Sequence, residues 1–258
     1  MRIRATVAAV SGALALSALA VPVAHADDSY GDTRMSNVVV NGGAAVVLGP
    51  TAKKTIKVTF TATDNSGIYA AHVALYRGSL DKPSGHLLPD AAQGLAKCTK
   101  VTGTKSTCVA DFTLQPGFEP ENSQAGTWKT YGLAGAVDDD FVEKDNLRTF
   151  KILRDTNLTT DATPEPVKKG KTLTVTGKLT RANWDRSVYE GYTGQSVKLQ
   201  FKKKGSSAYK TLKTVKSGTG GAVKTTVKAS VDGTYRYIFS GSANAGSVSA
   251  KGDVIDVK

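Results

Sequence analysis

No stretch of this chain beyond residue 26 sustains a 3.6-residue apolar period over three turns, which excludes a helical fold. Period-2 alternation recurs instead, broken by clusters of Gly, Pro, Asn and Asp. Ile56, Val58, Phe60 and Ala62 alternate with Lys57, Thr59 and Thr61, the pattern of a strand with one buried face. The turn Asp64-Asn65-Ser66-Gly67 follows, then a strand from Ile68 to Tyr76. Residues 77–96 carry Gly78, Pro83, Gly85, Pro89 and Gly94 and read as a long irregular excursion. Further strands fall around Cys98, from Cys108 to Leu114, from Thr127 to Val137 and from Leu147 to Leu153, with Val38 to Val40 at the front.

About seven strands with this turn chemistry suit a Greek-key sandwich of the immunoglobulin type. A boundary falls near Asp155, and Pro164-Glu165-Pro166 and Lys168-Lys169-Gly170-Lys171 precede renewed alternation at Leu173, Val175 and Gly177. Val197, Leu199 and Phe201 follow, Gly220-Gly221 reads as a tight hairpin, and Tyr235, Tyr237 and Phe239 form an aromatic face. Val254 to Val257 closes the unit. Gly126-Thr127-Trp128 in the first half matches Gly233-Thr234-Tyr235 in the second. An aromatic there either fixes the corner between sheets through its polar tip or serves as a ligand platform, and the corner is the favoured reading. The expected fold class is all-β: two tandem immunoglobulin-like Greek-key β-sandwiches, residues 27–155 and 156–258. At about 100–200 residues per domain, 258 residues are enough for two such cores.

Residues 1–26 have the form of a cleaved signal peptide. Arg2 and Arg4 form a basic head, Ala5 to Ala20 an apolar run, and Ala24-His25-Ala26 a small-x-small cleavage site. The alternative is an N-terminal membrane anchor, for which the run is marginal in length. The mature chain is expected to begin near Asp27, without a transmembrane segment, and to be secreted. Cys98 and Cys108 stand at matching ends of two Thr-rich stretches with Gly103 between them, which reads as a hairpin closed by a disulfide in an oxidising compartment. Closing so short a loop is worth about 2–3 kcal/mol in the chain-entropy model.

Charge separates the halves: residues 27–155 carry net −1 and residues 156–258 net +11. Val175 to Trp184, Gly194 to Phe201 and Gly233-Thr234-Tyr235-Arg236 resemble secreted actinobacterial proteins with immunoglobulin-like repeats. The leader and Ala62-Thr63-Asp64-Asn65-Ser66-Gly67-Ile68 resemble the same group, so the likeness covers nearly the whole chain. It implies the sandwich fold and export. Some members of that group carry a calcium-binding label, and no catalytic residue is carried over.

An acidic pole on the first unit is the candidate metal site. Asp64 and Asn65 occupy the turn between the second and third strands, and Asp138, Asp139, Asp140, Glu143 and Asp145 the turn between the last two. In this fold those loops share one end, where the chain also enters, bringing Asp27, Asp28 and Asp32 close. Calcium takes six to eight oxygens, which such loops can supply. The spacing is not an EF-hand, since Glu143 stands where that loop requires Gly. The competing reading is that Asp and Asn simply make good, solvated turns.

The second candidate is a basic face made by Lys198, Lys202, Lys203, Lys204, Lys210, Lys213, Lys216, Lys224 and Lys228. Its partners would be anionic: cell-wall polymers, acidic glycans, phospholipid surfaces or extracellular DNA, held weakly and salt-sensitively because Lys is a point charge. No sequence-specific nucleic-acid recognition is expected, for want of a groove-reading helix or a row of stacking aromatics. The competing reading is a soluble β surface whose lysines discourage edge pairing. Trp184, Tyr189 and Tyr192 form either a sugar-stacking patch or, more simply, a cover for the core. After cleavage the histidines are His72 and His86, and no nucleophile elbow, zinc pair or phosphate loop is present. The expected function is therefore non-catalytic, with no cofactor unless calcium binds. A secreted polysaccharide-active hydrolase is the third reading.

Overall fold

The computed structural model describes residues 27–91 and 94–258, so the expected leader, residues 1–26, lies outside the described residues. From Asp27 to Arg154 the strands are β1 (Asp28–Tyr30), β2 (Arg34–Val40), β3 (Val46–Leu48), β4 (Lys54–Thr63), β5 (Ile68–Gly78), β6 (Pro83–Leu87), β7 (Lys97–Thr102), β8 (Lys105–Leu114), β9 (Gly126–Ala136) and β10 (Phe141–Arg154). They form two facing sheets, β2-β4-β8-β7 and β1-β10-β9-β5-β6, with β3 parallel to the end of β10. This is the immunoglobulin arrangement of two facing sheets, with β6 as an added edge strand and with β2 and β3, separated at Asn41–Gly43, lying in different sheets. Alternation sets which face is buried: Ile56, Val58, Phe60 and Ala62 of β4 meet Trp128 of β9 and Phe112 and Leu114 of β8 in one core.

Two segments of the first sandwich differ from the sequence reading. The supposed excursion after Arg77 contains β6, which pairs with β5 through Leu75 and Leu87. The last strand begins at Phe141 rather than Leu147, because a bulge between Lys144 and Arg148 interrupts the alternation that would have announced it. The Cys98–Cys108 disulfide joins directly opposed residues of β7 and β8.

The second sandwich comprises β11 (Thr156–Leu158), β12 (Asp161–Thr163), β13 (Thr172–Asn183), β14 (Val188–Gly191), β15 (Ser196–Lys203), β16 (Lys210–Lys216), β17 (Ala222–Lys228), β18 (Gly233–Phe239), β19 (Val248–Ser249) and β20 (Asp253–Ile255). β13 pairs with β11, β12, β14 and β17, and the opposing sheet runs β16-β15-β18 with β19 and β20 beside β18. Gly220-Gly221 is not a hairpin. It carries the chain from β16 in one sheet to β17 in the other, and both glycines take positive φ, +64° and +81°. The matched aromatics are buried, so neither is a platform: Trp128 Nε1–H donates to the Gln124 carbonyl at 2.8 Å, and Tyr235 packs on Phe201 at 4.7 Å.

Only Asp155 separates β10 from β11, and the β13–β14 loop then reaches back. Trp184, fully buried, packs in the core of the first sandwich, and its indole N–H donates to the Leu48 carbonyl at 3.2 Å. Asn122 of the first sandwich bonds Trp184 N–H at 2.9 Å and the Asp185 carboxylate at 2.8 Å. Arg154, 7% exposed, donates through Nε to the Ala182 carbonyl, and burial together with nearby Arg181 lowers its guanidinium pKa to about 10. The joint is packed and hydrogen-bonded, the opposite of a flexible linker.

Candidate functional site

Three loops of the first sandwich meet at the end away from this joint. Asp32 lies in the turn between β1 and β2, Asp64 just after β4, and Asp140 just before β10. One carboxylate oxygen from each lies within 4.8 Å of the others. Gly31 allows the approach: its φ is +76°, and a Cβ there would sit 1.6 Å from Asp140 Oδ2. The Asp140 carboxylate accepts the Asp32 N–H at 2.9 Å, and the Asn65 amide donates to Asp32 at 3.1 Å.

Asp64 is the fixed member. It is 3% exposed and accepts the Ser66 N–H at 2.7 Å, the Ser66 hydroxyl at 2.6 Å and the Thr33 hydroxyl at 2.7 Å. Burial alone would raise its pKa, but these donors outweigh it and hold the carboxyl below its ordinary value. Asp64 therefore places a carboxylate charge in the cluster that a divalent cation would neutralise.

The remaining acidic residues divide. Asp138 and Asp139 are exposed at the rim, Asp138 N–H donating to Ser66 Oγ at 3.2 Å and Asp139 in the left-handed region at φ +69°. Glu143 and Asp145 do not join them, because both belong to β10 and are drawn to tyrosines. Tyr131, its pKa pushed up to about 12 by burial and by Glu143, holds the first, and the Tyr76 hydroxyl holds the second. Asp27 pairs with Lys144 at 2.7 Å instead of turning toward the cluster.

The lysines do not form a single face. Val197 and Leu199 are buried, so Lys198 and half-buried Lys202 face outward from one sheet, while Lys224 and Lys228 are exposed on the other. Lys202 and Arg236 lie over the Tyr209 ring at 5.2 and 3.6 Å. Lys213 stands opposite buried Leu199 and donates to the Thr226 carbonyl at 2.6 Å, bridging the open edges of β16 and β17. An inward charge on an edge strand discourages further pairing, so Lys213 acts as edge protection. Lys210 and Lys203 are exposed, and Lys204 pairs with Asp232 at 3.2 Å.

Lys203 and Lys204 belong to a cleft of about 390 Å³ at the far end of the second sandwich, lined also by Lys169, Val231, Asp232 and Lys258. Its walls are tied together: Lys169 N–H bonds the Lys258 carbonyl at 2.7 Å, and Asp232 accepts Val257 N–H at 2.9 Å while its own carbonyl accepts Lys204 N–H at 2.9 Å. The Val257 N–H, and next the Lys204 ammonium at 3.2 Å, hold the Asp232 carboxyl below its usual range. Lys169 and Lys258 lie outside the alternating strands, so alternation does not point to them. The run Lys168-Lys169-Gly170-Lys171 is the sequence signal for Lys169.

Trp184, Tyr189 and Tyr192 do not form an aromatic platform. Trp184 is buried, Tyr189 donates to Asp155 at 2.7 Å, and Tyr192 packs edge-on to Phe239 at 5.7 Å beneath Arg181. His72 Nδ1 is held by the Gly94 carbonyl. No helix among the described residues is long and apolar enough to cross a membrane.

No family model matches this chain, and no curated protein matches it. Among solved structures it is similar to titin domains Z1Z2 in complex with telethonin: 11% identity, 90% of this chain, 97% of that one, TM-score 0.25. It is also similar to the D0-D1 domain of intimin, at 14% identity over 86% and 98% of the chains, TM-score 0.28. Three N-terminal domains of the bacteriophage RB49 Highly Immunogenic Outer Capsid protein give 10% identity over 88% and 71%, TM-score 0.32. Likenesses this distant carry no argument about function. The fold assignment rests on the strand topology.

Proposed function

We propose that this chain works outside the cell as a non-catalytic binding and structural module. Residues 1–26 would be removed on export, the two sandwiches would be domains divided near Asp155, and the second would hold anionic polymers weakly. The observation that carries this reading is the basic cleft, where three chain segments bring Lys169, Lys203, Lys204 and Lys258 together. Among the described residues, only Lys204 of the four has its charge offset by a side-chain ion pair, with Asp232. Lysine ammonium groups attract phosphate or carboxylate without fixing its geometry, which suits a repetitive polymer better than one small ligand. Retention of the chain on isolated anionic wall polymer should fall steeply as salt screens the cleft. A Lys169→Glu/Lys203→Glu variant should lose most of it. Salt-independent retention, or a variant that binds as wild type, would overturn the reading. Turnover on a polysaccharide panel would overturn its non-catalytic part.

A second reading has its own observation, the approach of Asp32, Asp64 and Asp140 within 4.8 Å. Calcium there would replace mutual repulsion with coordination and stabilise the first sandwich. Thermal unfolding in EDTA, followed by stepwise calcium at fixed ionic strength, should show a saturable rise in midpoint, worth about 2.7 kcal/mol at a hundredfold excess over Kd. An unchanged midpoint up to millimolar calcium rejects the site.

A further inference from the structure

We infer that copies of this chain join head to tail, the basic cleft of one receiving the acidic end of the next. The inference rests on the cleft being an anion site and names its partner as a second copy. Strand direction places the two ends. β10 runs from Phe141, beside Asp138–Asp140, to Arg154 at the joint, while β13 runs from Thr172, beside Lys168–Lys171, to Asn183 at the joint. Acidic loops and basic cleft are therefore at opposite ends of the molecule, and the packed joint around Trp184 holds them on one body.

The two ends complement each other in charge, and each also presents apolar surface. The acidic end projects a tight turn, closed by Ala136 N–H to the Asp140 carbonyl at 2.8 Å, with Val137 66% exposed beside Asp138 and Asp139. The other end is an open cleft whose lining combines Val231 and Val257 with Lys169, Lys203, Lys204 and Lys258. An apolar residue flanked by carboxylates would thus meet a cleft that carries valines together with ammonium groups. Opposing charges exist at both ends, Arg34 and Lys105 at the first and Asp232 and Asp256 at the second, but they are the minority at each. Because the two patches differ, every contact is heterologous and leaves one free end on each side, so association is open-ended rather than a closed dimer.

Sedimentation velocity in EDTA, from micromolar to submillimolar chain, tests this. At about 10 mM salt, where screening acts over about 30 Å, average mass should climb continuously with concentration. At about 1 M salt, where it acts over about 3 Å, the chain should be monomeric. Asp138→Lys/Asp139→Lys and Lys169→Glu/Lys203→Glu should each be monomeric alone, since each reversal sets like charges against each other where the turn meets the cleft. Mixed, they should associate again. A wild type that stays monomeric at low salt, stops at a dimer, or is unaffected by either reversal overturns the inference. Polymer retention separates it from the reading it rests on: the aspartate reversal should leave retention intact, and only the lysine reversal should abolish it.

Discussion

Replacing Trp184 with alanine should destabilise the first sandwich, although the residue lies in the second, by about 3–5 kcal/mol. The indole is fully buried among first-sandwich core residues, and its removal leaves a cavity that the surrounding strands can only partly close. It also leaves the Leu48 carbonyl without the indole N–H that it accepts at 3.2 Å. Urea unfolding followed by signals from each half should show both transitions moving to lower denaturant, since the joint couples them. A change below about 1 kcal/mol would show that the indole is not part of the first core.

Asp64→Ala should cost about 3 kcal/mol near neutral pH, because it strands the buried Thr33 hydroxyl and two Ser66 donors. The pH dependence follows from the sign of the shift. The folded pKa lies below the ordinary value, so the unfolded chain takes up the proton first as acid is added. The stabilisation is complete above the unfolded value of about 3.9 and is lost as pH falls through the folded one. Urea midpoints of wild type and variant, measured from pH 7 downward, should stay separated to about pH 4 and converge below it. A constant gap would mean the donors bind a group that is not titrating.

The fold was legible because strand alternation is a local property. Ile56 to Ala62 declare their buried face without reference to anything distant, and so do Val197 to Phe201. Legibility failed where tertiary pairing overrides local pattern: at the bulge that hides the start of β10, and at Gly220-Gly221, where a turn that looks like a hairpin crosses between sheets.

The candidate sites divide along the same line. Residue type marked Asp64 and Asp140 as candidates, but type alone could not separate them from Glu143 and Asp145, whose place on β10 beside tyrosines takes them elsewhere. Composition placed the positive charge in the second half; only the tertiary structure showed Lys213 turned inward, Lys198 and Lys224 on opposite sheets, and Lys169 and Lys258 gathered with Lys203 at one end. Trp184 makes the point most simply. Its sequence neighbours belong to the second sandwich, yet its burial is decided by the first. The alternation of side chains along a strand depends on near neighbours and is written in the sequence, whereas convergence of loops and docking of one sandwich on another depend on contacts between residues far apart in the chain.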